Sequence, residues 1–318
     1  MLEIPIVNLK PKNMKAKKLL FGLLGIALTA SSCYTEILVE DDFIVESSFN
    51  TDRVLQSYDL WYVDINATRG NGEVPFLQRA FTISFDNGLV LANNNIVGIG
   101  DTGAGLGITI GAYATLPGVV EIDHEFDGFW ALEVLAVNDN TLQLFDPNSG
   151  TSYFLNGYQW NNFDYDRVFY ENIDYLLQEY DVWEKTFTSE LGAVNEFDDE
   201  NYLQFVSGNN GFFRSSVDKV GIPLQNIQWD YEGDFEIFDT SDETLKTLTL
   251  DYDFLGNDYF ELYVINDSTI ELFHVASETV YEFTGRGFIQ FSKTSKTASK
   301  KRIKTAHKKM NVTRKRKM

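Results

Sequence analysis

Few side chains in this sequence have the types and spacing that carry out catalysis. The three histidines, His124, His274 and His307, stand far apart, and the one cysteine is Cys33. His124 lies among acidic residues in segment 121–127, the residue types of a metal ligand or of a general base oriented by an acid. We expect it to be an exposed histidine whose pKa the neighbouring carboxylates raise. The sequence names no catalytic residue beyond the candidate His124.

Glycine spacing and acidic clusters point to two further kinds of site. Gly98, Gly100 and Gly103 have the Gly-x-Gly-x-x-Gly spacing of dinucleotide-binding folds. More glycines follow and disfavour the helix whose amino terminus would hold a pyrophosphate, so we expect a strand connection and no cofactor.

The acidic clusters offer the oxygen ligands that calcium prefers but lack the spacing of a calcium loop, so we expect no dedicated metal site. These clusters are residues 198–200, residues 239–243, and Asp251 with Asp253.

Cys33 closes a segment that is built like a secretory signal. Three lysines between residues 15 and 18 precede an apolar run over residues 19–30. That run is shorter than the roughly 20 residues of a membrane-spanning helix, so we assign residues 1–33 to a signal peptide. An unpaired cysteine in an exported protein needs another use, and we expect lipidation of the Cys33 thiol. Ordinary signal cleavage near Ser32 is the alternative.

Charge divides the rest of the chain into an acidic body and a basic end. Residues 34–292 hold 9 of the 26 basic residues and 46 of the 47 acidic ones, a net charge of about −37. Such a body repels polyanions and attracts cations. Residues 293–318 hold 12 basic residues, no acidic one and no aromatic ring. We expect a basic disordered tail there that contacts the acidic body or an anionic headgroup, and no specific nucleic-acid partner, because rings for base stacking are absent.

The acidic body contains two copies of one unit. Residues 54–61 recur as residues 176–183, and residues 138–145 recur as residues 266–273. A repeat period of more than 100 residues indicates duplicated domains, not a solenoid. The predicted organisation is a linker over 34–49, a first β domain over 50–165 and a second over 166–292.

Within each copy the hydrophobic period is close to two. Apolar residues alternate around Leu132 and Phe260, as in half-buried strands, and the Asn-Asp dipeptides at 138 and 266 are typical of tight hairpins. Helical patterns are confined to residues 51–57 and 166–179, ahead of each copy. The sequence therefore predicts an all-β protein of two tandem antiparallel barrels or sandwiches, each preceded by a short helix.

The order of helix, tryptophan-bearing strand, aromatic strand and terminal hairpin resembles the lipocalin-like domains of Bacteroidota envelope lipoproteins of the flavobacterial type. Asp59 and Asp181 stand where that family has a glycine before its tryptophan. The resemblance implies that Trp61 and Trp183 pack across the barrel floors. With the tyrosines three residues earlier in each copy, Tyr58 and Tyr180, they form the structural repeat.

The end of the signal segment, Ala30-Ser31-Ser32-Cys33, resembles the loose lipobox of the same lipoproteins. That resemblance implies a lipid anchor in the outer membrane and leaves both membrane faces open. Similar chains sometimes carry the label nicotinate-mononucleotide adenylyltransferase. The His-x-Gly-His phosphate site of those enzymes is absent from this sequence.

These observations favour a lipid-anchored, non-enzymatic envelope protein that binds an envelope protein or a small ligand. The alternatives are an envelope hydrolase acting on glycans or lipids, and a purely structural spacer. Four aromatic residues near Asn and Asp could stack on sugars or on a partner. We expect packing for all four instead: Tyr158, Trp160, Tyr165 and Trp229.

Overall fold

The computed structural model describes residues 50–70, 74–206, 211–289 and 302–310. The predicted signal peptide with Cys33, and the predicted linker over 34–49, lie outside the described residues. None of the helices in the described part of the chain combines the length and the apolar character needed to cross a bilayer.

Two closed, eight-stranded antiparallel barrels follow each other along the chain, which confirms the predicted all-β class. In each barrel every strand pairs with the next one in sequence, and the last strand pairs with the first. The strands of the first barrel are Leu60–Arg69 (β1), Thr82–Asp86 (β2), Leu89–Asn93 (β3), Ile108–Leu116 (β4), Val119–His124 (β5), Gly128–Asn138 (β6), Thr141–Asp146 (β7) and Thr151–Tyr158 (β8).

The second barrel repeats this topology. Its strands are Tyr180–Thr188 (β9), Tyr202–Phe205 (β10), Phe212–Ser216 (β11), Tyr231–Asp239 (β12), Lys246–Tyr252 (β13), Gly256–Asn266 (β14), Thr269–His274 (β15) and Thr279–Phe288 (β16). Side chains alternate between the inside and the outside of a strand, which is why the sequence shows a period of two. In β8, for example, every second residue is buried.

Short helices precede both barrels. The described helices are Thr51–Leu55 (α1), Pro75–Arg79 (α2), Tyr165–Glu171 (α3) and Ile173–Leu177 (α4). The pattern over residues 166–179 predicts one helix, but the structure has two, because Asn172 leaves helical geometry between α3 and α4. Its side-chain amide donates back to the carbonyl of Val168 at 2.8 Å. Such side-chain bonds to the backbone compete with helix continuation.

The two tryptophans occupy the same place in their barrels. Trp61 Nε1 donates to the carbonyl of Leu55 at 2.8 Å, and Trp183 Nε1 donates to the carbonyl of Leu177 at 2.8 Å. Each bond ties the first strand of a barrel to the last residue of the helix before it. It also satisfies a carbonyl that the helix end leaves without an intrahelical partner.

A tyrosine and a glycine complete this floor in each copy. The Tyr58 ring meets Trp61 edge-on at 5.0 Å, and Tyr180 meets Trp183 in the same way at 4.9 Å. A β-carbon on Gly157 would lie 2.3 Å from the Tyr58 ring. The last strand of each barrel therefore needs a glycine here so that the tyrosine can lie against it. The corresponding glycine of the second barrel is Gly285, which lies under Tyr180.

The opposite end of the first barrel is closed by α2. Thr51 of α1 donates to the carbonyl of Leu116 at 2.6 Å, before β5 begins, whereas Arg79 of α2 pairs with Asp127, just after β5 ends. The two helices thus lie at opposite ends of β5. Phe76 of α2 is buried and plugs this end.

A helical turn closes the second barrel in the same way. The 3-10 turn Glu196–Asp199 follows the first strand of its barrel, as α2 does. It carries the fully buried Phe197, whose ring packs 4.6 Å from Phe260 and 5.0 Å from Tyr281. Each barrel is therefore plugged at this end by a phenylalanine from the segment that follows its first strand.

The two barrels belong to one compact unit and share one apolar cluster. The outer face of β1 and the start of β2 pack against the helices that lead into the second barrel. Tyr62 donates to Glu171 of α3 at 2.7 Å, and the Phe81 ring meets Tyr175 of α4 edge-on at 5.8 Å. The loop between β3 and β4 of the first barrel also makes a contact, because the amides of Ile96 and Val97 donate to the buried carboxylate of Glu179, which directly precedes β9.

Residues 302–310, called the docked segment below, follow a defined path along both barrels. Thr305 donates its amide to Asn66 of the first barrel at 3.2 Å, and Asp239 of the second barrel forms a parallel bridge with Lys309. This corrects the expectation of disorder for these nine residues. The acidic body is their counter-charge, as the sequence suggests, but specific acceptors also hold them. Residues 293–301 and 311–318 lie outside the described residues.

Candidate functional site

The barrel interiors, where a lipocalin-like fold would hold a ligand, are occupied by the chain's own side chains. The first barrel is filled by one buried apolar cluster that includes Trp61, Phe76, Phe85 and Tyr153. The second is filled mainly by aromatic rings, which form the cluster continuous with the junction between the barrels. These large buried rings are Trp183, Phe197, Phe205, Phe213, Phe260, Tyr281 and Phe283. Ligand binding therefore has to be sought on the outer surfaces.

His124 is buried, which corrects the expectation of an exposed histidine. Only 3% of it is exposed, and its ring stacks on Phe76 at 5.2 Å. The Nδ1 atom accepts hydrogen bonds from the amides of Phe126 at 3.2 Å and Asp127 at 2.9 Å. The histidine thus fastens the turn after β5, and an Nδ1 that accepts two amide protons is not free to act as a base.

The second copy has a tyrosine at the place of His124. Gly111 pairs with His124 across strands, and Gly233 pairs with Tyr252 in the same way. Tyr252 donates to the carboxylate of Glu200, whose two oxygens lie 3.0 and 2.9 Å from the hydroxyl. Burial raises the pKa of Glu200 to about 7. A carboxyl with such a pKa suits acid–base catalysis at neutral pH, but this one is 4% exposed and covered by the tyrosine.

Other polar side chains at this plugged end are also engaged. Lys185 donates to the carbonyl of Asp198 at 2.5 Å, and Tyr281 donates to the Asp198 carboxylate at 2.6 Å. Burial lowers the pKa of Lys185. His274, which the sequence did not single out, lies 2.8 Å from Ser277 and 3.2 Å from Asp258. These groups form closed internal networks that fix the plug.

Neither the glycine motif nor the acidic clusters form the site that their residue types suggest. The loop after Gly98 continues into the 3-10 turn Thr102–Gly105 and not into an α-helix, and a β-carbon on Gly105 would collide with Trp160. In the described part of the chain, no three His, Cys, Asp or Glu side chains are grouped closely enough to hold a metal ion.

The four aromatic residues near Asn and Asp are half-buried. Tyr158, Trp160 and Tyr165 pack against the apolar cluster at the junction. Trp229 lies under the guanidinium of Arg214, whose Cζ is 4.4 Å from the ring centre. Packing thus accounts for the contacts of all four.

The most specific binding arrangement surrounds Arg302, at the junction of the barrels. Its guanidinium donates to the carbonyl of Val63 at 2.9 Å, to Asn172 Oδ1 at 3.1 Å and to the carbonyl of Ala80. The Phe81 ring covers it, with its centre 4.4 Å from Cζ. These four residues, together with Tyr62, whose ring centre lies 6.0 Å from Cζ, are called the arginine pocket below.

Arg302 is 1% exposed and makes no direct ion pair with a described carboxylate. Burial lowers the pKa of this arginine. Its backbone amide also donates to the carbonyl of Gln78 at 2.8 Å. Sequence reasoning could not find this pocket because its acceptors are backbone carbonyls brought together by the fold.

Beyond Arg302 the docked segment runs to acidic residues of α4 and β12. His307 lies between two carboxylates, 2.8 Å from Asp174 and 3.2 Å from Asp239. Burial opposes protonation, but the hydrogen bonds and charges of both aspartates raise the pKa of His307. Lys308 pairs with Glu236 at 2.7 Å. This end of the segment is therefore held by charge as well as by backbone hydrogen bonds to Asp239.

No protein-family model matches this chain, and no curated protein is significantly similar to it. The site is therefore assigned from its own geometry.

An open polar cleft of about 570 Å³ lies beside the docked segment on the outer wall of the first barrel. Lys304 and Arg167 line it together with Arg69, whose Cζ lies 5.2 Å from the centre of the Phe154 ring. Arg167 is already paired with Asp64 at 3.3 Å. Two neighbouring surfaces thus stand out in the described part of the chain, the cleft and the junction that holds the docked segment.

Proposed function

We propose that this protein is a lipid-anchored, non-enzymatic module of the cell envelope that binds a partner through its outer surface. The amino-terminal signal pattern that ends in Cys33 supports export and anchoring. Both barrels are filled by their own side chains, and this observation supports the rest of the proposal. Because neither interior has room for a ligand, we infer that a partner binds to the outer walls or to the junction of the barrels.

The hydrolase alternative has less support. Such an enzyme needs an acid and a base that converge on an accessible cleft. Glu200 has a suitable pKa, about 7, but Tyr252 covers its carboxylate inside the plugged barrel. His124 uses its Nδ1 to hold a turn. We therefore expect His124→Ala to lower stability and to leave envelope glycan and lipid turnover unchanged.

Metabolic labelling with radioactive palmitate tests the anchor. The wild-type chain and a Cys33→Ser chain are expressed at equal levels, purified, and compared for label and for recovery in the membrane fraction. We expect label and membrane recovery only with the cysteine, because the thiol is the atom that is acylated. A Ser47→Ala chain is the control for an unrelated change. Equal labelling of wild type and Cys33→Ser would refute lipid anchoring.

Affinity capture from detergent-solubilised membranes tests partner binding. Wild type is the bait, and a heat-denatured sample is the control. We expect a reproducible envelope protein at near-stoichiometric amounts. Its absence, together with no small ligand by native mass spectrometry, would leave the spacer alternative.

A further inference from the structure

The arginine pocket is built by the barrels and not by the segment that fills it. The β1–β2 ladder ends at the pair Tyr62–Thr82, and α2 interrupts the approach of the two strands. The carbonyls of Val63 and Ala80 therefore face the opening between these two strands of the first barrel, where Arg302 reaches them. Buried carbonyls need a donor, and here the donor comes from elsewhere in the chain.

The chemistry of this pocket selects a guanidinium. Three acceptors in different directions bind the two terminal nitrogens of the guanidinium, and an aromatic face covers its plane, whereas the buried Nε has no hydrogen-bond partner among the described residues. A lysine presents one small ammonium group and cannot reach all three acceptors at once. No carboxylate of the described residues pairs with the guanidinium, so recognition depends on shape and donor direction more than on charge alone.

The other contacts of the docked segment are backbone hydrogen bonds and interactions of its charged side chains. The amides of Ile303, Thr305 and Met310 donate to the barrels, at 2.7 Å to Tyr175, 3.2 Å to Asn66 and 2.8 Å to the carbonyl of Asp239. Such backbone bonds are independent of sequence. Side-chain selection then comes from the arginine and from basic residues five and six positions later.

We propose that the junction is a receptor for an extended basic segment of a partner protein, anchored by one arginine, and that the docked segment occupies this receptor in cis. This inference rests on the binding role proposed above and names the class of its partner. The charge of the acidic body and the walls formed by Asp174, Asp239 and Glu236 fit a basic partner and disfavour an acidic one.

Occupation in cis lowers the affinity of the receptor for any partner that competes for it. The docked segment is joined to β16 through residues 290–301, so it competes with any partner at an effective concentration on the order of 1 mM. If its own dissociation constant is about 0.1 mM, a partner binds about tenfold more weakly than it would to an open junction. Removing the Arg302 side chain should therefore uncover the receptor.

Fluorescence anisotropy with a labelled synthetic peptide of residues 300–311 tests this. The full chain in detergent is used as wild type, as Arg302→Ala and as Lys309→Ala, an exposed lysine of the same segment that serves as the matched control. We expect the peptide to bind Arg302→Ala about tenfold more tightly than wild type or Lys309→Ala. A peptide that carries alanine in place of its arginine should bind none of the three.

Equal affinities, or no binding to an Arg302→Ala chain whose near-ultraviolet circular dichroism matches wild type, would overturn the proposal. If Arg302→Ala does not fold, hydrogen exchange on wild type decides. Excess peptide should speed exchange of the Ile303 and Thr305 amides at least tenfold, and unchanged exchange would refute displacement. A wild-type dimer that Arg302→Ala abolishes would assign the receptor to a second copy and overturn the partner. Palmitate labelling is independent of all these outcomes, so failure here leaves the anchor standing.

Discussion

Replacing Gly157 by alanine should distort the floor of the first barrel. The added β-carbon would lie 2.3 Å from Tyr58 Cδ2 and 2.5 Å from Cγ. Carbon atoms in contact settle at about 3.5–4.0 Å, so the ring would have to retreat by roughly 1 Å. It cannot retreat freely, because its hydroxyl donates to the carbonyl of Asp139 at 2.9 Å and its edge rests on Trp61.

Overpacking of this kind costs about 1–3 kcal/mol of the free energy of unfolding. We expect Gly157→Ala to cost about 2 kcal/mol in the wild-type chain and less than about 0.5 kcal/mol in a Tyr58→Ala background, where the colliding ring is gone. The same substitution in a Tyr180→Ala background is the matched control. It removes the equivalent ring of the other barrel and should leave the full cost.

Urea unfolding followed by tryptophan fluorescence measures the free energy of unfolding of each background with and without Gly157→Ala. Gly285→Ala with Tyr180→Ala repeats the cycle in the second barrel, where the β-carbon would lie 2.4 Å from the ring. If Gly157→Ala costs as much without Tyr58 as with it, the tyrosine is not what requires the glycine. The proposed reason for the repeated motif would then be wrong.

Three further predictions concern buried donors and protons. Trp183→Phe should lower the free energy of unfolding by about 1–3 kcal/mol, because it leaves the buried carbonyl of Leu177 without its donor. Trp229→Phe, at a half-buried site, should lower it by less. Urea unfolding compares the two variants, and equal losses would contradict a stabilising role for the Trp183 hydrogen bond. Glu200 holds its proton up to about pH 7 when folded but only to about 4.5 when unfolded, so stability should fall by about 3 kcal/mol as pH rises through that window. Glu200→Gln should remove this fall, and an unchanged pH profile would refute the assignment. The pKa of His307 is raised on docking, so its contribution is complete below pH 6.5 and is lost as pH rises through the higher folded value. Exchange protection of the docked segment should then decrease toward pH 8.5 in wild type and not in His307→Gln, and parallel profiles would exclude the histidine.

Local features of this fold could be predicted from sequence. The repeated Tyr-x-x-Trp of Tyr58 and Trp61, and its copy at Tyr180 and Trp183, indicates two equivalent strands because the motif and its contacts lie within a few residues. The Asn-Asp hairpin after Asn138 is equally local, since its side chain accepts from the amide of Asn140 at 3.0 Å. The glycines of the last strands escaped notice, because their requirement comes from a ring about 100 residues away.

The environment of His124 and the docking of Arg302 could not be predicted in this way. The acidic neighbours of His124 suggest exposure, but α2 covers it, and that contact joins residues about 50 apart. For Arg302, composition identifies the acidic body as the counter-charge but not the pocket. The acceptors there belong to Val63 and Ala80, whose carbonyls become available only where two strands separate.

Helix α4 has only five residues, yet it contacts three parts of the structure. Tyr175 touches the first barrel and the docked segment, while Leu177 supplies the floor carbonyl of the second barrel. The two barrels are therefore not independent modules that could be cut apart and exchanged. Calorimetry should record a single melting transition for the pair, and a loop inserted after Gln178 should split that transition in two.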